Sequence, residues 1–176
     1  MTATLQALPE TGLGFDEWLG LRGPALLSFA WMVTRRREDA KDALQDALVG
    51  LYPRWSRFED ADAAEAHLKR SIVNASVSNW RKSGRRLVPV ADPGEMQPPV
   101  PDFTEAHDEA DMAWQLCENL SPQQRAAVVL RFKEDCSFSD IARILEIPES
   151  TARSHVHRAL VRLRTMIEAT RSQEAG

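Results

Sequence analysis

The 176-residue chain has only two cysteines, Cys117 and Cys136, and they form no CxxC pair. That argues against a disulfide scaffold and a structural zinc site, and makes a reduced, cytoplasmic compartment the expectation. Its four histidines, His67, His107, His155 and His157, fall in three segments with no HExxH spacing, so no metal is expected. No apolar run reaches the ~18 residues of a membrane span, so no membrane partner is expected. Met1 to Gly14 carries neither the basic residues nor the apolar core of a secretory signal. Asn-Gly hairpin turns and alternating β-branched runs are missing, which leaves no strand ladder. A Walker loop, a GxGxxG turn and a nucleophile–base pairing are missing too. The expectation is an all-α protein without cofactor and without catalytic activity of its own.

What is present is charge, and it is segregated. The net charge of −4 and the pI near 5.6 argue against a simple nucleic-acid binder. Yet residues 67–87 carry six basic side chains and no acidic one, and residues 88–121 carry eight acidic and no basic one. Residues 150–176 are again basic, at +3. Two basic blocks around an acidic one point to two surfaces for a polyanion.

Proline marks the main boundary. Five of the ten prolines stand between Val88 and Asp102, where they remove backbone donors and stop any helix. Residues 84–104 read as an extended acidic linker between two small helical domains, residues 15–83 and 105–170. Residues 1–14 read as a disordered extension and 171–176 as a tail. In the first domain Asp16 is the expected N-cap of a helix that Gly23-Pro24 should kink or split. Ala40, Ala43, Leu44, Ala47, Leu48 and Leu51 recur at helical spacing over 38–52. A polar loop over 58–62 leads to a helix over 63–82. In the second domain a helix starts near Thr104. Ser121-Pro122 opens another, which carries Ala127, Val128, Leu130 and Phe132. Ser137 or Ser139 caps a short helix that Ile147-Pro148 ends, and Ser150 or Glu149 opens a last one to about Ala169.

The segment from Ser137 to Arg164 is a short helix, a tight turn and a second helix. Ile141, Ala142, Leu145, Ile147, Ala152 and Val156 would pack the two helices. Thr151, Arg153, Ser154, His155 and Arg158 would then face outward from the second helix. That pattern suits a helix-turn-helix, whose second helix enters the major groove. Arginine can bridge both acceptors of guanine there. The plainer reading is a helical hairpin with a solvated basic face.

With both halves in view, the chain resembles the sigma-70 family of bacterial RNA polymerase sigma factors. The likeness is to the extracytoplasmic-function subgroup, nearest a SigE-like actinobacterial branch. It runs from about Phe15 to Ile167. Leu120-Ser-Pro-Gln-Gln-Arg-Ala-Ala-Val-Val-Leu-Arg-Phe132 is similar to the opening of the family's region 4. Ser139-Asp-Ile-Ala142 and Ser150-Thr-Ala-Arg-Ser154 match its helix-turn-helix. Asp39-Ala-Lys-Asp-Ala-Leu-Gln45 resembles the region 2 motif that docks on polymerase. Ala66 to Ala75, with Trp80 and the basic residues, resembles the helix that handles the −10 element. The family usually has Gly where this chain has Glu146 and Ser150, and often Arg or Gln where it has His155.

The resemblance implies an initiation factor whose partners are core RNA polymerase (β′ clamp and β flap), promoter DNA and an anti-sigma factor. It implies that Asp39, Asp42, Gln45 and Asp46 meet the clamp coiled coil. It implies that Lys69, Arg70, Asn74, Asn79, Trp80, Arg81, Lys82, Arg85 and Arg86 serve a melted −10 element, with a flipped base held near Phe58 to Ala64. It implies that Thr151, Arg153, Ser154, His155 and Arg158 read a duplex −35 element, and that the linker threads near the polymerase active-site cleft or the RNA exit path. Read without it, the acidic stripe is an ordinary solvated face that complements the helix dipole. Trp80 is then as readily core as stacking platform. The alternative function is a stand-alone helix-turn-helix regulator with a helical sensor or dimerisation domain. An enzyme would need a metal-binding carboxylate cluster that these acidic residues do not form.

Overall fold

A computed structural model describes residues 12–83 and 117–174. The expected linker, the helix near Thr104, Arg85, Arg86 and most of the N-terminal extension lie outside those residues. Helix α1 spans Phe15–Thr34. It starts after Gly14, whose carbonyl accepts from Trp18 at 2.9 Å, so Asp16 sits in the first turn rather than at the cap. The helix also runs unbroken through Gly23-Pro24, against the expected split. Packing of Trp18, Leu26 and Phe29 on either side outweighs the local cost of Pro24, which removes the bond to the carbonyl of Gly20 and crowds that oxygen. Gly20 and Pro24 are both exposed, so the carbonyl that loses its donor is left to water.

Helix α2 spans Arg37–Leu51, with Ala40, Ala43, Ala47 and Leu51 buried. A 3₁₀ segment, Tyr52–Arg57, follows. Its Trp55 packs against Trp18 with ring centroids 4.9 Å apart, and Phe15 lies against both rings. This aromatic group fastens the end of α2 to the start of α1. Helix α3, Ala61–Lys82, is capped by Asp60, whose carboxylate accepts from the Ala63 amide at 2.7 Å. Leu68, Ile72 and Val73 face inward from it.

In the second unit, a 3₁₀ turn over Cys117–Asn119 precedes α4, Pro122–Val128. Ser121 and Gln124 form a reciprocal capping box, so the expected Ser-Pro start holds. The chain then widens into a π turn, Val129–Lys133, where the Glu134 amide donates to Val129 O. That turn buries Leu130 and leaves Phe132 59% exposed, so the two do not share an inner face. Ser137, not Ser139, caps α5, Phe138–Leu145, in a second box with Asp140. Helix α6 starts at Glu149 and continues past Ala169 to Glu174, because no glycine or proline stops it.

The two units share one continuous core. Phe29, Val33, Ile72 and Leu68 of the first belong to the same cluster as Ala126, Leu130, Ile141 and Val156 of the second. Helix α3 packs on α4 and α5, and α1 packs on α4.

The turn between α5 and α6 carries a local strain. Glu146 holds a left-handed backbone, φ 51° and ψ 51°, at the position where a glycine is usual in the resembling family. Its side chain pairs with Arg70 at 2.6 Å but remains 69% exposed. A β-carbon in that conformation costs about 1 kcal/mol. Glu146→Gly and Glu146→Ala both lose the pair, so their difference isolates the backbone. The glycine variant is expected to be more stable by about 1 kcal/mol in urea unfolding. An alanine variant of equal stability would contradict the left-handed turn.

Candidate nucleic-acid interface

Helix α3 presents a polar face away from its buried one. Asn74, Ser78, Asn79, Arg81 and Lys82 are exposed on it, and Trp80 is half-buried. Arg70, one turn before Asn74, is half-buried and bonded twice. Its guanidinium meets Glu146 at 2.6 Å and His67 Nδ1 at 3.0 Å. His67 lies against Phe58 with the rings tilted by 49° and their centroids 5.3 Å apart, which ties the loop before α3 to the helix.

Lys69 departs from the expected −10 surface. Its side chain is 7% exposed and turned toward the second unit. It pairs with Glu65 at 2.9 Å and with Glu134 of the π turn. The physical reason is register. Leu68, Ile72 and Val73 set the inner face of α3, and Lys69 falls on that face with Val73 and Ser76. A basic block in the sequence is not a basic patch on a helix.

The helix-turn-helix is built from α5 and α6. Ile141, Ile144, Ala152, Val156 and Ala159 are its buried contacts, while Ala142 is half-buried. Thr151 is tied to the turn by its amide, which donates to Pro148 O at 2.9 Å. Arg153 and Arg158 are exposed, and Ser154 and His155 are half-buried. Arg153 pairs with Glu149 at 2.6 Å.

The two sets meet in one cleft. A hollow of about 470 Å³ between α3 and the second unit is lined by Asn74, Ser78, Arg81, Lys82 and His155, over a floor that includes Val73, Val77, Leu145 and Ile147. The acidic stripe lies elsewhere. Asp42, Gln45 and Asp46 are exposed on α2, and Asp39 is half-exposed beside Arg36 at 3.9 Å. Val49, 68% exposed, adds an apolar spot to the same helix.

The remaining contacts between the units come from residues that the sequence reading missed. Arg125 is buried and donates from Nε to Val33 O at 2.8 Å. Arg35 lies over Trp31, 4.4 Å from the ring centroid, and pairs with Glu118 at 2.9 Å. A signal existed for Arg125. Pro122, Arg125 and Val129 share one helical stripe, and a cation in an apolar stripe implies a buried acceptor. Among the described residues no group of His, Cys, Asp and Glu is arranged to hold a metal. No helix among them is long and apolar enough to cross a membrane. Cys117 is buried and Cys136 half-buried, and burial raises both thiols above the ordinary range.

Comparison with known proteins matches both units in this order. Residues 21–86 match the model for sigma-70 region 2, and residues 110–163 match that for sigma-70 region 4. The chain is 36% identical to the RNA polymerase sigma-E factor of Streptomyces coelicolor, over 89% of this chain and 88% of that one.

The chain belongs to the sigma-70 family, in its extracytoplasmic-function subgroup.

Within that family it is 33% identical to the ECF RNA polymerase sigma factor SigM of Mycobacterium tuberculosis, over 87% of this chain and 76% of the relative. Its fold is similar to that of the sigma factor RpoE from Bartonella quintana, solved in complex with the anti-sigma factor NepR. The TM-score is 0.67 at 28% identity, covering 88% of this chain and 96% of that one.

Two imidazoles sit where the sigma factor's units meet. Burial, then the nearby Arg70 and Arg54, hold His67 below its ordinary value of 6.5. Burial, then Arg158, does the same for His155. The unfolded chain therefore binds more protons than the folded one as pH falls through about 6.5, and stability falls with it. The urea midpoint is expected to be lower at pH 5.5 than at pH 7.5. Replacing both residues by glutamine should flatten that slope. A slope unchanged in the double variant would show that other groups carry it.

Proposed function

We propose that this sigma factor binds core RNA polymerase and directs promoter-specific initiation, reading the −10 element with residues 15–83 and the −35 element with residues 105–170. The observation that carries the reading is the pairing of a region 2 unit and a region 4 unit in one chain, each with an exposed polar face. The factor has no catalysis of its own and works in the cytoplasm, where polymerase is. Residues 84–104, read from their prolines and charge as an acidic linker, pass near the polymerase active-site cleft or the RNA exit path in this proposal.

Asp39, Asp42, Gln45 and Asp46 of α2 contact the β′ clamp, and the second unit contacts the β flap. The exposure of this stripe beside Leu44, Leu48 and Val49 supports it, since polar and apolar groups together suit a protein partner. Arg70, Asn74, Asn79, Trp80, Arg81 and Lys82, continued by Arg85 and Arg86, handle the melted −10 strand. Arginine and lysine follow phosphates, and Trp80 offers a stacking surface. Lys69 is left out, because Glu65 on its own helix keeps its charge paired even when the units part. Thr151, Arg153, Ser154, His155 and Arg158 meet the −35 duplex. The ring nitrogens of His155 can donate or accept a hydrogen bond at a base edge or a phosphate. An anti-sigma factor is a further partner, in keeping with the RpoE–NepR complex.

Asn74 and His155 line the same cleft. The two promoter elements are roughly 25 base pairs apart by name, or about 85 Å along the duplex at ~3.4 Å per pair. The closed arrangement cannot touch both at once, so the units separate on polymerase.

Transcription of a promoter template by purified core enzyme tests the function. The sigma factor is expected to give a defined transcript that core enzyme alone does not give. Asp42→Arg with Gln45→Ala should weaken binding to core roughly tenfold, about 1.4 kcal/mol, with no change in unfolding midpoint. Binding of unchanged strength would remove α2 from the docking surface. Tight, specific promoter binding without polymerase would favour a stand-alone regulator instead.

A further inference from the structure

Arg153 is exposed, yet it is held at two points. Its guanidinium lies over the ring of Phe138, 4.5 Å from the centroid. Its Nη2 donates to Glu149 Oε1 at 2.6 Å. The ring is itself fixed, since Phe138 is the first residue of α5, packs against the shared core and carries Arg131 at 5.1 Å. Arg131 in turn donates to Cys136 O at 2.9 Å, so that side of the stack is anchored to backbone.

An arginine on a helix surface ordinarily samples many rotamers, and a base contact must freeze them. Bidentate recognition of guanine also needs the guanidinium plane at one tilt. The ring sets that plane, and Glu149 takes one hydrogen of Nη2 and so one edge of the guanidinium, leaving the other edge, where the second Nη2 hydrogen stands beside a neighbouring N–H, as the fork for two acceptors. We propose that Phe138 and Glu149 are positioning residues that hold Arg153 in its reading conformation, and so set −35 selectivity without touching a base themselves. This rests on Arg153 being a base-reading residue of the −35 contact.

The test is selection of transcribed promoters from a library randomised over the −35 element, using holoenzyme made with each variant. Arg153→Ala is expected to lose preference at one base position. Phe138→Leu and Glu149→Gln should each flatten preference at that same position by about two- to fivefold, leaving the other positions as they were. Phe138→Tyr, which keeps a ring, should retain the preference. Glu149 lies on the exposed first turn of α6, so its variant answers the question even where Phe138→Leu lowers stability. If Arg153→Ala flattens one position while Glu149→Gln and a folded Phe138→Leu do not, the positioning proposal is overturned and the reading role stands. If Arg153→Ala changes no position, the base-reading role fails and the proposal falls with it.

Discussion

Lys69 ties the molecule together. Its ammonium sits between α3 and the π turn, pairing with Glu65 on its own helix and Glu134 on the second unit. Glu65 is held in turn by Arg22 of α1, with contacts of 2.7 and 2.8 Å. Burial alone would drive Lys69 toward its neutral form, but the hydrogen bonds it donates to Glu134 and Glu65 outweigh that and raise the group above its ordinary value. Burial likewise works against the charge on Glu65, and Arg22 and Lys69 outweigh it, holding that carboxyl low. The lysine contribution persists below about pH 10.5 and is lost above it, while the carboxylate contribution is lost below about pH 4.5. The network is thus charged across the neutral range. Removing one member strands the others, at a cost of about 3 kcal/mol for a buried pair.

This network also decides which faces are free. It holds α3 against the second unit, so Asn74 and His155 look into a shared cleft while the α2 stripe looks outward. In the proposed function that asymmetry orders events. Polymerase can meet α2 while the units are closed, and the two DNA faces can reach their separate promoter elements together only after the units part. Moving such an equilibrium from nearly all closed to nearly all open takes about 5.5 kcal/mol of differential binding. The pairs across the interface are partly wet, with Glu134 22% and Glu146 69% exposed, which keeps the closed state from becoming a trap.

Local chemistry was readable in the sequence where one side chain decides the outcome. Ser121-Pro122 and Ile147-Pro148 mark real boundaries because proline and a capping hydroxyl act within one turn. The helix-turn-helix was readable because its apolar spacing is short and regular. Gly23-Pro24 misled, since the buried packing of the turns on either side, which the dipeptide does not reveal, outweighs what the proline costs. Lys69 misled for a longer-range reason. Its partner Glu134 is 65 residues away, and nothing local says that a lysine in a basic block turns inward. The left-handed Glu146 was visible only as a departure from glycine, and the π turn at Val129 left no composition signal.

The most direct measurement is the distance between the two units, free and on polymerase. Fluorophores on cysteines placed at exposed Ser56 and Ser172, with Cys117 and Cys136 replaced by alanine, would report it by energy transfer. Transfer should be high in the free protein and fall sharply when core polymerase is added, as the units move apart by tens of ångströms. Transfer that stays the same on a polymerase that is actively transcribing would contradict a closed sigma factor that opens to reach its promoter.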